Sequence, residues 1–325
     1  GGRAVEAMRA AGFEGNIDLV GAEPHLPYER PPLSKELLAG QDIPFQVMFP
    51  SEWFAERNIA LHIGRCAVEI DRKSGHVRLD DGTHLPYDRL LLATGGSPRG
   101  LDIPGASLPG SHTLRTIDDS RAIAGHFARQ GHIVVVGGGF IGLEIAASAR
   151  IRGCAVTVLE YADRLMGRAL PAEIGGIFAD LHRENGVDLR LGAGIAGIEG
   201  NGRVERVITT SGDRLETNAV VVGVGIVPDT ALAVAAGLTV DDGIVVDTYC
   251  RTSDPAIYAA GDVTRHYNPL LGRHTRLESW QNAQNQAIAA ARNMCGAETP
   301  FAEIPWFWSD QFDVNLQVCG APLDW

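Results

Sequence analysis

The stretch His132-Ile-Val-Val-Val136, Gly137-Gly-Gly-Phe-Ile-Gly142, Leu143 to Arg152 and Ala155-Val-Thr-Val-Leu-Glu160 decides the fold. The apolar run before the glycines reads as a strand buried on both faces. Leu143, Ile145, Ala146 and Ala149 then recur at helical spacing, and Ala155 to Glu160 reads as a second strand. Strand, glycine turn, helix, strand is a βαβ unit of a parallel sheet. In Gly137-x-Gly139-x-x-Gly142 the missing Cβ atoms let backbone N–H groups and a helix N-terminus close around an anionic pyrophosphate. Glu160 ends the next strand, where a carboxylate accepts hydrogen bonds from an adenosine ribose diol and repels a 2′-phosphate. The pattern predicts a dinucleotide site that favours NAD over NADP. Arg164 and Arg168 follow closely and are able to accept a phosphate, which moderates that preference.

Outward from this unit, the chain matches itself. Gly82-Thr-His-Leu-Pro-Tyr-Asp-Arg-Leu-Leu-Leu-Ala-Thr-Gly-Gly-Ser-Pro98 aligns without gaps to Gly212-Asp-Arg-Leu-Glu-Thr-Asn-Ala-Val-Val-Val-Gly-Val-Gly-Ile-Val-Pro228. Each copy feeds a polar hairpin turn into an apolar triplet. Gly1 to Gly12, followed by Asn16-Ile-Asp-Leu-Val20, also resembles Gly142 to Gly153, followed by Val156-Thr-Val-Leu159. Two related dinucleotide-binding folds in tandem are therefore expected, the first with its opening strand and first glycines lying before Gly1. The segments Gly243 to Asp247, Thr252 to Asp262 and a helix over Asn282 to Cys295 have no counterpart in the second fold, so they are expected to complete the first. Ala93-Thr94-Gly95 and Tyr258-Ala-Ala-Gly-Asp262 each end a strand at its carboxyl edge, where open α/β sheets bind ligands. In Pro27-Tyr-Glu-Arg-Pro-Pro-Leu-Ser-Lys35 the prolines stiffen a loop that presents Arg30 and Lys35, with Ser34 expected to cap a short helix.

Composition narrows the class. The chain has 325 residues, 45% hydrophobic and 21% charged, which excludes collagen, disorder and a small disulfide scaffold. Its 39 glycines stand well above the usual roughly 7%. A net charge of −12 disfavours nucleic acid or an anionic membrane as the main partner. The apolar stretch Ile133 to Ala149 contains Gly137, Gly138, Gly139, Gly142 and Glu144 and is a poor membrane span. No signal peptide is visible. Cys66, Cys154, Cys250, Cys295 and Cys319 show no C-x-x-C and no histidine at metal-ligand spacing, so reduced thiols in a cytoplasmic protein and no metal site are expected.

The order of Pro-Pro-Leu-Ser-Lys35, Ala-Thr-Gly95, Leu-Arg-Thr116, the Gly137 motif, Tyr-Ala-Ala-Gly-Asp262 and Pro305-Trp-Phe-Trp-Ser-Asp-Gln311 closely resembles the NADH-dependent ferredoxin reductases of bacterial oxygenase systems. The resemblance covers essentially the whole chain. It implies an α/β protein with two tandem Rossmann-like domains of the glutathione-reductase-like type. An FAD-binding domain is expected over residues 1–108 and 230–303, an NAD-binding domain over 109–229, and the start of a C-terminal α+β domain over 304–325. Family members begin with a strand and two further glycines and continue for roughly eighty residues past the Trp-Phe-Trp segment. The resemblance therefore implies a longer protein.

Carried over by motif, Gly1 corresponds to the third glycine of the FAD phosphate turn and Glu23 to the acid on the FAD ribose. Arg30, Lys35, Val68, Thr94, Gly95, Arg115, Asp262, Trp280 and Trp308 correspond to positions around FAD, with Asp262 on the ribityl chain. Gly137, Gly139, Phe140, Ile141, Gly142, Glu144, Glu160, Gly225 and Ile226 correspond to the NADH site. The resemblance also implies that Lys35 and Glu144 lie together near the flavin N5 and the nicotinamide, as the catalytic pair. It implies hydride transfer from NADH to FAD and single-electron transfer to a [2Fe-2S] ferredoxin that serves a P450 or Rieske oxygenase. Disulfide reductases of the superfamily need a thiol pair beside the flavin, and between Gly1 and Thr94 the only cysteine is Cys66. Rubredoxin and monodehydroascorbate reductases, and an NADH-sensing flavoprotein resembling apoptosis-inducing factor, are the alternatives.

Overall fold

The strand His132–Val136 lies at the centre of a five-stranded sheet in the order Val187–Leu191, Ala155–Glu160, His132–Val136, Ala219–Val222, Ser111–Thr113, and every adjacent pair is parallel. Its β-branched residues explain the centre: Ile133, Val134, Val135, Val220 and Val221 are fully buried, each contributing about 1.5–3 kcal/mol of apolar burial. Helices Ile117–Phe127, Phe140–Ile151 and Ala172–Glu184 accompany this sheet. The first of them starts at a reciprocal cap, in which the Thr116 hydroxyl accepts from the Asp119 amide and the Asp119 carboxylate accepts from the Thr116 amide.

This computed structural model describes residues 1–40 and 46–321, so the last four residues of the segment expected to open a C-terminal domain lie outside the described residues. Contacts gather the chain into two units. Of the described residues, unit 1 comprises 1–29, 46–96 and 228–307; unit 2 comprises 30–40, 97–227 and 308–321.

Unit 1 carries the parallel pairs Ile17–Gly21 with Ile59–Ile63 and Leu90–Leu92 with Ile257–Ala259. Helices Gly2–Ala10 and Trp280–Met294 share one core with Tyr258, Ala260 and Phe301. The second helix starts two residues ahead of the expected Asn282, because the Ser279 hydroxyl accepts from the Asn282 amide and caps it.

The internal repeat is structural. In unit 1, Ala67–Asp71, His76–Leu79 and His84–Pro86 form an antiparallel sheet; in unit 2, Ile195–Glu199, Arg206–Thr209 and Arg214–Glu216 form another. His76 faces Pro86 as Arg206 faces Glu216. Even the irregularity recurs, with a register shift between Ala67 and Glu69 in one and between Ile195 and Gly197 in the other. No helix among the described residues is long and apolar enough to cross a membrane.

Candidate active site

The glycine turn of unit 2 has the shape that phosphate binding requires. Gly137 stands at φ +109°, and a Cβ there would lie 2.5 Å from the Gly223 carbonyl oxygen. A Cβ on Gly142 would lie 2.0 Å from the Gly137 carbonyl oxygen, so the helix Phe140–Ile151 can approach the turn only with glycine there. A Cβ on Gly139 would meet nothing within 4 Å, so the middle of the turn faces open space at a helix N-terminus. A pyrophosphate fits that cradle. The first helical turn adds Phe140 and Ile141, the latter 46% exposed.

Glu160 closes the far side. Its Oε2 accepts from the Gly138 amide at 2.5 Å and its Oε1 from the Ala162 amide at 2.7 Å, holding the carboxylate at the end of its strand. Gly225 (φ +103°) leads into the strand Ile226–Pro228, and the Arg168 guanidinium lies beside it. Arg164 is engaged locally, donating to the Gly167 carbonyl at 2.8 Å.

The second cluster of unit 2 is the more unusual one chemically. Glu144, on the second turn of the glycine-capped helix, is 3% exposed, and three groups surround its carboxylate. Ser34 Oγ donates to Oε2 at 2.5 Å, Ser309 Oγ donates to Oε1 at 2.7 Å, and Lys35 Nζ stands 3.4 Å from Oε1. Burial pushes the Glu144 carboxyl above its ordinary pKa, while Lys35 and the two serines oppose that shift. Lys35 Nζ also lies 3.8 Å from Asp310 Oδ2 and 5.0 Å from the centre of the Trp308 ring, and Trp308 Nε1 donates to Asp310 at 3.0 Å. Nearby, Arg30 Nη1 donates to the Arg115 carbonyl at 2.5 Å.

One expectation is corrected. Ser34 does not cap a helix: the short helix Glu36–Ala39 begins after Lys35 without a side-chain cap, and the Ser34 hydroxyl is given to Glu144. The hydroxyl is turned to the buried carboxylate, and its oxygen accepts from no amide of that helix. Ser309 and Asp310 are functional neighbours that spacing does not reveal. Ser309 lies 165 residues from Glu144 along the chain, and only the return of the strand Trp306–Gln311 brings it there.

Unit 1 holds the remaining expected residues. Gly1 precedes the helix Gly2–Ala10, and Glu23 accepts from Tyr28 Oη at 2.5 Å. Val68 is the residue skipped at the register shift between Ala67 and Glu69 and is 42% exposed. Thr94 Oγ1 donates to the Asp229 carbonyl at 2.7 Å, next to Gly95 at φ +66°. Asp262 follows Gly261, whose φ of +85° ends the strand Ile257–Ala259 against the helix Trp280–Met294. Trp280 Nε1 donates to Glu29 Oε2 at 2.5 Å. Glu23, Thr94, Gly95 and Asp262 thus follow strands of unit 1, Gly1 and Trp280 lie at helix starts and Val68 at a strand bulge, while Lys35, Glu144 and Trp308 come together in unit 2.

All five cysteines are free. Burial raises the thiol pKa of Cys154 and Cys295 and pushes that of Cys250 up to about 12. Among the described residues there is no cluster of three or more metal-ligating side chains.

Residues 1–287 match the pyridine nucleotide-disulphide oxidoreductase family. The chain belongs to that family. Among its relatives is the ferredoxin–NAD(+) reductase component of an anthranilate 1,2-dioxygenase system from Burkholderia cepacia, 47% identical over 98% of this chain and 79% of that protein. Rhodocoxin reductase from Rhodococcus erythropolis is 45% identical over 98% of this chain and 75% of its own length. A covalent putidaredoxin reductase–putidaredoxin complex contains a chain that superposes with a TM-score of 0.95 at 40% identity, covering 99% of this chain and 79% of that one. Membership of the pyridine nucleotide-disulphide oxidoreductases implies FAD and NAD(H) as cofactors, and the open glycine turn with its acidic strand end is built for a dinucleotide.

Proposed function

We propose that this protein is an NADH:ferredoxin reductase acting in the cytoplasm. In this reading, residues 1–108 and 230–303 bind FAD, 109–229 bind NADH, and 304–325 open a further domain. The observation that carries it is the buried Lys35–Glu144 pair, held by two serine hydroxyls and covered by Trp308. FAD, when bound, supplies acceptance of a hydride from NADH and release of electrons one at a time. Every other part belongs to the chain.

Gly137, Gly139 and Gly142 hold the NADH pyrophosphate on backbone amides, with Phe140, Ile141, Gly225 and Ile226 beside it. Glu160 takes the adenosine ribose. Gly1 and Glu23 perform the matching tasks for FAD, and Arg30, Val68, Thr94, Gly95, Arg115, Asp262 and Trp280 line its length. The Lys35 ammonium stabilises negative charge that develops beside it, and costs little reorganisation because Glu144 and Asp310 already orient it. Trp308 keeps water from that ammonium through its ring face.

The acceptor follows from the relatives and from the thiols. One relative is named as the ferredoxin–NAD(+) reductase component of a dioxygenase system and another is seen joined to its putidaredoxin, and the cysteines here are free, with three of them pushed toward the unreactive thiol form. A [2Fe-2S] ferredoxin accepting one electron at a time fits better than a disulfide substrate. Purified full-length protein loaded with FAD is expected to lose its visible flavin absorbance on mixing with NADH under nitrogen and to regain it on addition of oxidised ferredoxin. Colourless protein that takes up no flavin, or reduced flavin that ferredoxin leaves untouched, overturns the proposal.

A further inference from the structure

A line of buried polar groups leads away from Glu144 Oε1, the oxygen that Lys35 also faces. Gln311 Nε2 lies 3.0 Å from Ser309 Oγ, and His182 Nε2 lies 2.9 Å from Gln311 Oε1. His182, Gln311 and Ser309 are each 0% exposed. Such a line inside the protein has to be read by its protons. Ser309 has one hydroxyl proton, and it is given to Glu144 Oε1. The Ser309 oxygen therefore accepts from the Gln311 amide nitrogen. That turns Gln311 Oε1 toward His182, which must donate through Nε2–H.

The opposite arrangement has the same heavy-atom shape. With the amide turned over, Gln311 Oε1 faces Ser309 and draws its proton away from Glu144, while the amide nitrogen donates to a bare His182 Nε2. Which arrangement holds is thus the same question as which tautomer His182 adopts. His182 Nδ1 is buried without a hydrogen-bond partner, so the tautomer is chosen on the Nε2 side alone. Burial keeps the imidazole pKa below its ordinary value, so the ring is neutral at pH 7 and the choice is real.

We infer that His182 is a positioning residue for Glu144, acting through Gln311 and Ser309 to keep a hydroxyl proton on the carboxylate that faces Lys35. The inference rests on the reading of Lys35 and Glu144 as the charged pair of the redox site. Without that donor, Glu144 loses one of the groups that favour its ionised form, and Lys35 loses part of its counter-charge.

The test uses FAD-loaded full-length protein. Nitrogen-15 histidine spectra of the parent at pH 7.5 are expected to show His182 with a protonated Nε2 and a bare Nδ1. His182→Phe keeps an aromatic ring edge-on to Phe312 but donates nothing, which also identifies the signal. Gln311→Glu is nearly isosteric, and its carboxylate accepts from both neighbours, taking the Ser309 proton. Both variants are expected to show a protonated-carboxyl infrared band at pH 7.5, absent from the parent and abolished by adding Glu144→Gln. Both should reduce flavin about tenfold more slowly with NADH, the dissociation constant for NADH staying within about twofold.

An Nδ1–H tautomer in the parent, or variants without the carboxyl band, overturns the inference. A parent that NADH cannot reduce sinks the redox reading alone, and the tautomer and the infrared band still decide the inference. Should His182→Phe not fold, Gln311→Glu and the parent spectrum carry the decision.

Discussion

The two copies of the repeat place opposite charges at the same point of the same helix. Two residues past the last glycine, the first copy has Arg3 and the second has Glu144. Arg3 is paired with Glu29 at 2.8 Å and Glu6 at 3.1 Å, with its side chain 29% exposed, and Glu29 also accepts from Trp280. Glu144 is paired with Lys35 at 3.4 Å inside the protein, with Trp308 against the lysine. Each copy thus pairs this helix position with an opposite charge and sets a tryptophan against the pair. The first leaves the pair in contact with water and the second removes it. Water is what sets the strength of an ion pair, so one helix position serves as a surface tie in one copy and as a charged device in the other.

That contrast is open to direct attack. Lys35→Met leaves a buried carboxylate uncompensated, and is expected to cost about 3 kcal/mol in denaturant unfolding. Arg3→Met breaks a partly exposed pair and should cost under about 1 kcal/mol. Lys35→Met should also slow flavin reduction by NADH in stopped-flow measurement while FAD is retained. Equal losses of stability in the two variants would erase the distinction between the copies.

The glycines themselves sharpen it further. Alanine at Gly142 puts a methyl 2.0 Å from a backbone oxygen that cannot yield, whereas alanine at Gly1 meets only the end of the Leu19 side chain at 2.9 Å. Gly142→Ala should weaken NADH binding by about 1–3 kcal/mol, read by calorimetric titration. Gly1→Ala should leave FAD content within about twofold of the parent, because a leucine methyl can move aside. If Gly1→Ala loses its FAD, the first copy is as tightly built as the second.

The smallest expected effect concerns the two strand-end acids. Glu160 is held by the amides of Gly138 and Ala162, and Glu23 by the Tyr28 hydroxyl. Glu160→Ala removes a negative charge from the path of a 2′-phosphate, so the ratio of NADPH to NADH efficiency should rise about tenfold in steady-state assays. Glu23→Ala should leave that ratio unchanged and weaken FAD retention instead. A shift in nucleotide preference from Glu23→Ala would mean that the two acids are assigned to the wrong cofactors.

The features legible in the order of residues alone are local or repeated. The parallel βαβ unit follows from a Val-rich run, three glycines and a helical apolar stripe within one short stretch. The tandem repeat follows from the gapless alignment of Gly82–Pro98 to Gly212–Pro228, but those segments hold only the third strand of each antiparallel sheet, so the other strands and their matching registers are visible only in the fold. A helix start lies two residues from its expected place where a hydroxyl cap, that of Ser279, decides the boundary.

The candidate site is legible only in part. Lys35 and Glu144 are reached through motif resemblance, since no spacing rule connects residues so far apart along the chain.

The amino-acid sequence by itself determined where a dinucleotide turn must form, because the absence of Cβ atoms and the period of apolar side chains act within a few residues. Only the tertiary structure decided that Ser34, from 110 residues before Glu144, and Ser309, from 165 residues after it, would meet on one carboxylate. A buried charge is stabilised by whichever donors the folded chain brings to it, and that choice is made by the packing of distant segments, which no local pattern encodes.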